Sequence, residues 1–184
     1  MGFHTYDADR APELEDPWRF AYLSVDELLA LFEPESTDEI ADLGSGTGFY
    51  TDEVAPYVET VHAVDVQAEM HGAYEEKGVP ENVELVTAEV ADLPLADDAL
   101  DAAVSTMTFH EFATEEALTG LTRVLGDGGR LAVGDWSAAG EGREGPPRSE
   151  RYDATDATKM LEAAGFTVER AEDRRETFVA SARL

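Results

Sequence analysis

The chain has 184 residues, of which 41 are Asp or Glu against 13 Lys or Arg, giving a formal net charge of −28, while 43% are hydrophobic. That length suits one substantial core, and so apolar a chain is not a disordered acidic tail, so a single folded domain spanning 1–184 is expected. The field of such a charge repels nucleic-acid phosphates and anionic membranes, and the complete lack of Cys excludes disulfides, thiolate-held zinc and thiol nucleophiles.

The first patterned element runs from Ser24 to Phe32. A Ser in the N-cap position, Glu three residues later and apolar residues at helical spacing predict a helix that ends near Pro34. Short apolar runs then alternate with amphipathic ones: a strand over 39–43, a helix over 50–57, a strand over 60–65, a helix over 67–77 and a strand over 83–87. A strand over 100–105, a helix over 115–125 and a strand over 130–136 continue the series. Alternation of this kind implies parallel strands joined by crossover helices, because parallel neighbours need long connections. Residues 138–151 contain Gly140, Gly142, Gly145, Pro146 and Pro147 among charges and are expected to form a flexible loop. A helix over 156–164 stopped by Gly165, and strands over 167–172 and 177–182, close the chain as a hairpin. Residues 1–36 are thus expected as an N-terminal helical cap or lid and 37–184 as the α/β core. Met1 to Arg10 lacks a basic region followed by an apolar one, and no run of about 18 apolar residues occurs, so a soluble cytoplasmic protein is expected.

The strongest chemical signal is Asp42-Leu43-Gly44-Ser45-Gly46-Thr47-Gly48, placed where the first strand ends and a helix begins. In open α/β sheets ligands bind at the carboxyl ends of the strands, and glycines there let backbone approach a ligand closely. The spacing is G-x-G-x-G, one residue short of the G-x-G-x-x-G dinucleotide fingerprint, which disfavours NAD. A carboxylate at Asp42 repels a pyrophosphate but suits a ligand bearing ammonium and sulfonium charges. A tight strand-to-helix turn without a ligand is the plainer alternative. Asp65, at the tip of the second strand, is placed to accept both ribose hydroxyls; it is equally placed to cap the following helix.

These pieces resemble the class I methyltransferases of the ubiquinone/menaquinone-biosynthesis type (methyltransferase type 11) over roughly Asp38 to Trp136. The resemblance is carried by Asp42 to Gly48, by Val64-Asp65-Val66 with Glu69-Met70, and by Ala88-Glu89-Val90-Ala91-Asp92-Leu93-Pro94-Leu95. Leu100 to Ser105 and Leu121 to Leu131 extend it. It implies a Rossmann-like, doubly wound sheet of seven mostly parallel strands in the order 3-2-1-4-5-7-6, the last antiparallel. It also implies S-adenosylmethionine as cofactor, with S-adenosylhomocysteine as product. Residue by residue, Gly44, Ser45, Gly46 and Gly48 would make room for the methionine moiety, with Asp42 near its ammonium, and Asp65 would hold the ribose. Val66 and Met70 would flank the adenine, Glu89 would accept from its exocyclic amine in place of the family's usual Asp, and the Val90 backbone would face the ring. Ser105 and Thr106 would approach the methionine moiety and the sulfonium.

A His often lies in that family near the position of His110, where a neutral imidazole can take a proton from an acceptor hydroxyl or acidic carbon; packing or capping a helix is the competing role. His4, His62 and His71 are scattered, His62 inside an apolar strand, and no catalytic metal is expected. The acceptor side is expected to draw on Phe3, His4, Tyr6, Trp18, Phe20 and Tyr22 and on the loop after Trp136, around a small and fairly open site for a small-molecule acceptor. A non-catalytic module that binds the same nucleoside, and an NAD-dependent oxidoreductase, are the competing classes. The second is further disfavoured by the lack of a Y-x-x-x-K pair. No nucleic acid or membrane partner is expected, and the chain is taken as a monomer or homodimer.

Acidic residues spread along the whole chain, with Lys77 and Lys159 the only lysines, resemble the composition of proteins from salt-loving archaea. In molar salt the screening length falls to roughly 3 Å, which removes most of the surface self-repulsion. The melting temperature should therefore rise between dilute buffer and molar KCl, and an unchanged value would contradict this account of the charge.

Overall fold

The computed structural model describes residues 5–184, so Phe3 and His4 lie outside the described residues. Seven strands form one sheet in the order β3-β2-β1-β4-β5-β7-β6. They are β1 (Glu39–Leu43), β2 (Thr60–Asp65), β3 (Val83–Thr87), β4 (Leu100–Thr106), β5 (Leu125–Trp136), β6 (Thr167–Asp173) and β7 (Thr177–Arg183). The first five pair in parallel, and β7 runs antiparallel to both β5 and β6. Strand order therefore reverses between β1 and β4, which opens a crevice at their carboxyl ends.

Alternate residues of each strand feed two cores. On one face Ile40, Ala63, Val104 and Val179 pack with Leu28 and Phe32 of α1 (Val25–Phe32), Val54 of α2 (Thr51–Val54) and Tyr74 of α3 (Ala68–Lys77). On the other, Leu43, Ala103, Val133 and Phe178 meet Phe109 of α4 (Phe109–Phe112), Leu118 and Leu121 of α5 (Glu115–Val124), and Leu161 of α6 (Ala154–Ala163). No described helix is long and apolar enough to cross a membrane.

Several elements depart from the pattern read in the sequence. The helix expected over 50–57 is α2 followed by a 3₁₀ turn, Ala55–Tyr57, because Pro56 supplies no N–H to continue the ladder. Strand β5 starts at Leu125, which pairs with Leu100 ahead of a register shift. Residues before α1 form two 3₁₀ helices, Ala8–Glu15 and Pro17–Ala21, each opened by an Asp side chain that accepts from the backbone two residues on. At α1 the Ser24 hydroxyl accepts from the Glu27 amide at 3.3 Å, but the Glu27 carboxylate does not close a capping box; it pairs with Arg174 at 2.7 Å.

The loop 138–151 is fastened rather than free. The buried Glu176 carboxylate accepts from the Gly142 amide at 2.9 Å, Arg148 donates to the Ala138 carbonyl at 2.7 Å, and Arg151 donates to the Pro146 carbonyl at 2.7 Å. Gly145 lies so close to the Trp136 indole that a Cβ there would stand 2.4 Å from the ring.

An ion pair fastens the segment between α1 and β1 to β5. Arg130 donates to the Glu33 carbonyl at 2.6 Å and to Asp38 Oδ2 at 2.7 Å, and the same oxygen accepts from the Glu35 amide. Removing the cation strands a buried carboxylate. Arg130→Met should cost about 3 kcal/mol of unfolding free energy in denaturant titrations at molar KCl.

Candidate functional site

The carboxyl ends of β1, β2, β4 and β5 surround a cavity of about 1420 Å³. Its floor begins with the turn after β1. The Gly44 and Ser45 amides both donate to the Val64 carbonyl, at 2.8 and 2.9 Å, so the turn curls back over β2. Gly44, Gly46 and Gly48 have φ of 76°, 55° and 80°, a region closed to most L residues.

The three glycines make room for different things. A Cβ on Gly44 would lie 2.6 Å from Thr108 Oγ1, and one on Gly48 would lie 2.1 Å from the Tyr74 ring. Gly44, Ser45 and Gly46 line the cavity, whereas Gly48 is buried behind it, and the space it frees is filled by Tyr74.

Asp42 is also behind the wall. It is fully buried, accepts from Thr51 Oγ1 at 2.6 Å through one oxygen, and leaves the other without a hydrogen-bond partner among the described residues; the buried Ser45 hydroxyl likewise has none among them. Burial pushes the Asp42 carboxyl up to about 6, against the opposing pull of Thr51 and Arg19. Ser105 is likewise buried, its hydroxyl 3.3 Å from that of Thr108.

Asp65 lies on the cavity wall. One of its oxygens accepts from the Gly46 amide and the other from the Gln67 amide, both at 2.9 Å, so it ties the glycine turn to the start of α3. Val66, half exposed, and Met70, buried, line the same wall, with Glu89 exposed and Val90 buried across from them after β3. Thr106 closes this part of the floor. Next to it Met107, which donates its amide to the Gly134 carbonyl at 2.7 Å, takes a φ of 63°. A left-handed methionine at a cavity floor is a strained position of the sort that collects at functional sites.

His110 reaches the cavity from α4. Its backbone amide donates to Asp135 Oδ2 at 2.7 Å, and its Nδ1 lies 2.9 Å from the same oxygen. Asp135 is fully buried near the end of β5. With the proton on Nδ1, that contact fixes the ring and leaves Nε2 as an acceptor. Burial disfavours the imidazolium, but Asp135 outweighs it and holds His110 above its ordinary value. Glu111 Oε1 stands 3.9 Å from Nε2, and burial pushes this carboxyl up to about 7. Asp135 and Glu111 were not singled out from the sequence. The one available signal was an acid inside the apolar run Leu131-Ala132-Val133-Gly134-Asp135-Trp136.

The N-terminal segment roofs the glycine turn. Thr47 donates to Glu15, Tyr50 donates to the Leu23 carbonyl at 2.9 Å, and Gln67 donates to the Tyr6 carbonyl at 2.9 Å. Tyr6, Trp18 and Tyr22 line the cavity, Tyr22 packed 4.9 Å from Trp136, while Phe20 instead stacks 4.7 Å from Phe49 in the core. This segment roofs the cavity and the loop 138–151 flanks it. His62 is held in the sheet with Nε2 2.7 Å from Glu39, and His71 lies with Nδ1 3.0 Å from Thr87.

Residues 41–133 match the methyltransferase domain family. An uncharacterized methyltransferase-like protein of Schizosaccharomyces pombe is 35% identical over 100 residues, which cover 54% of this chain and 38% of that protein. The demethylmenaquinone methyltransferase of Corynebacterium kroppenstedtii is 32% identical over 106 residues, 57% of this chain and 44% of its own length. The chain thus spans less than half of each of these two curated relatives. The crystal structure of a SAM-dependent methyltransferase from Aquifex aeolicus is 31% identical, covers 97% of this chain and 99% of its own, and superposes with a TM-score of 0.86.

The glycine turn makes a clean test of packing. Gly44→Ala combines a left-handed backbone with a Cβ overlapping Thr108 and should cost more than about 2 kcal/mol. Gly72→Ala, inside α3 with no atom within 4 Å of the added Cβ, should instead raise stability by up to about 1 kcal/mol. Thermal melts of the two variants side by side check both.

Proposed function

We propose that this chain, which belongs to the methyltransferase domain family, transfers the methyl group of S-adenosylmethionine to a small-molecule acceptor and releases S-adenosylhomocysteine. The observation that carries the reading is the cavity itself. At about 1420 Å³ it exceeds the roughly 300–1,000 Å³ of a single-ligand pocket, and it runs from the tips of β1 and β2 to those of β4 and β5. That is space for a nucleoside and an acceptor together, which weighs against a module that merely retains the nucleoside.

The residues present fit the cofactor. The unpartnered Asp42 and Ser45 oxygens, and a buried Asp42 carboxyl near its ionisation point, suit a ligand that brings an ammonium group to the turn. Each Asp65 oxygen spends one lone pair on a backbone amide and keeps capacity for a ribose hydroxyl. Val66, Met70 and Val90 offer apolar surface to an adenine, with Glu89 at its edge. Gly44 and Gly46 would leave room for the methionine chain and Thr106 would stand on the floor beside it; Asp42 would act on the ammonium through its charge from behind the wall, where Gly48 and Ser105 shape the turn.

When bound, S-adenosylmethionine supplies an already activated methyl group, so the chain has chiefly to align the partners and keep water out. The roof over 5–23 and the loop 138–151 exclude water. His110 takes the proton of an acceptor hydroxyl or acidic carbon at Nε2, while Asp135 holds Nδ1 and stabilises the cation formed. In this reading residues 1–36 are the cap and 37–184 the catalytic core of one domain. The ubiquinone/menaquinone type is supported by the ordered motifs and by the corynebacterial relative. The charge of −28 supports a salt-loving archaeal source and a salt-rich cytoplasm, with work on free small molecules, as a monomer or homodimer, and not on nucleic acid or membrane.

Calorimetric titration in molar KCl tests the proposal. S-adenosylmethionine and S-adenosylhomocysteine should bind, NAD should not, and Asp65→Ala should weaken both adenosyl ligands by roughly 10- to 100-fold while the variant still melts cooperatively. A folded wild-type protein that binds neither adenosyl ligand would remove the methyltransferase reading.

A further inference from the structure

Glu111 is a carboxylate on the cavity wall without a partner of its own. Its nearest basic contact is His110 Nε2, 3.9 Å from Oε1, and among the described residues no donor hydrogen-bonds to it. When the imidazole is neutral, with its proton on Nδ1 beside Asp135, Glu111 has no cation in contact. The cavity's arginines stand elsewhere. Arg10 pairs with Glu13 at 2.6 Å and Arg143 with Glu141 at 2.8 Å. Arg19, above the glycine turn, donates to the Leu14 carbonyl at 2.7 Å and meets no carboxylate within 4 Å among the described residues.

Most other acids on the wall are spent or screened. Asp65 accepts from two backbone amides, and Asp7, Glu13, Asp16, Glu89 and Glu144 are exposed to water and salt. The Glu111 side chain is only 21% exposed. Burial pushes its carboxyl up to about 7; His110 opposes that, and the charges of Asp135 and Asp65 add to it. A cation brought in front of it offsets the desolvation.

The place of Glu111 decides which cation it meets. An acceptor atom that gives its proton to His110 Nε2 stands about 3 Å from that nitrogen, so the methyl group changes hands beside Glu111. The donor is a sulfonium cation before transfer and a neutral thioether after it. A sulfonium has no N–H or O–H to donate, and a carboxylate that faces it bare acts on it through charge alone.

We propose that Glu111 is a charge-selecting residue, whose carboxylate favours the cationic donor S-adenosylmethionine over the neutral product S-adenosylhomocysteine. This rests on the methyltransferase reading. In the transfer the acceptor bonds to the methyl carbon, the carbon–sulfur bond breaks with its electron pair going to sulfur, and the acceptor's proton goes to His110 Nε2. One positive charge leaves the donor as another arrives on the imidazole 3.9 Å from Glu111. The carboxylate's attraction thus passes from the ligand to the base, which frees the product. An ammonium carried by the acceptor is the other source of positive charge at this place.

S-adenosylmethionine, S-adenosylhomocysteine and sinefungin share the nucleoside and the amino-acid end and differ at the point of transfer, as a sulfonium, a thioether and an ammonium. Calorimetry in molar KCl on the wild type, Glu111→Gln and Glu111→Asp, with melts to confirm folding, compares them. The wild type should bind the two cationic ligands roughly 10-fold more tightly than S-adenosylhomocysteine. Glu111→Gln should abolish that preference by weakening the two cationic ligands alone, and Glu111→Asp should keep part of it. Equal losses for all three ligands would make Glu111 a packing residue, and a preference absent from the wild type or unchanged in Glu111→Gln would leave an acceptor ammonium as its partner; each overturns the proposal. A folded wild type that binds none of the three fails the methyltransferase reading first, which is a distinguishable result.

Discussion

A Cβ has no place at two positions of the turn after β1, and the geometry of the cavity depends on that. Thr108 fills the space beside Gly44, and its hydroxyl donates to the Leu43 carbonyl at 2.9 Å, so the residue that crowds the turn also fastens it. Tyr74 fills the space beside Gly48 and donates to Asp52 at 2.6 Å. The turn is therefore gripped between the segment that follows β4 and the helix that follows β2. That grip brings the tips of three strands to one rim. Asp65 completes it by accepting from the Gly46 amide.

Charge is distributed across the cavity with a clear sense. Asp42 lies beneath the turn, Asp65 beside it and Glu111 on the cavity wall at α4, and burial has moved the Asp42 and Glu111 carboxyls up to about 6 and about 7. Above the turn is an arginine without an acidic neighbour in contact. Buried carboxyls near their ionisation point gain from a cation brought in by a ligand, because the cation offsets the desolvation that raised them. The outer surface carries the same sign far in excess, and there salt can screen it; inside the cavity, away from mobile ions, screening is weak.

The His110–Asp135 pair shows how the fold couples the two cores to the site. Asp135 is the acid at the end of an apolar strand whose other residues pack both faces of the sheet, and it is tolerated there because it accepts from the His110 amide, the His110 ring and the Trp136 amide. Those three bonds set the position of α4 as well as the tautomer of its histidine. Trp136, one residue on, supports Gly145 on one side and Tyr22 on the other, so the loop 138–151 and the N-terminal segment are braced by the same indole.

The strands, most helices, the closing hairpin and the glycine turn were legible in the amino-acid sequence, because alternation, helical spacing, caps and turn residues are local properties of the backbone. Asp65 was legible as a rim residue because the carboxyl end of a strand is a position along the chain, whereas Val66, Met70, Glu89, Val90, Thr106 and His110 were implied by the family resemblance, and all of them line the cavity. The tertiary structure alone decided that Gly48 yields to Tyr74 rather than to the cavity, and that Asp42 and Ser105 stand behind the wall. It also decided that Asp135 holds His110, that Arg19 hangs over the turn, and that the loop 138–151 is tied down by Glu176. Each of these joins residues far apart in sequence through crossovers and strand register, and no periodicity along the chain records which side chains such register brings together.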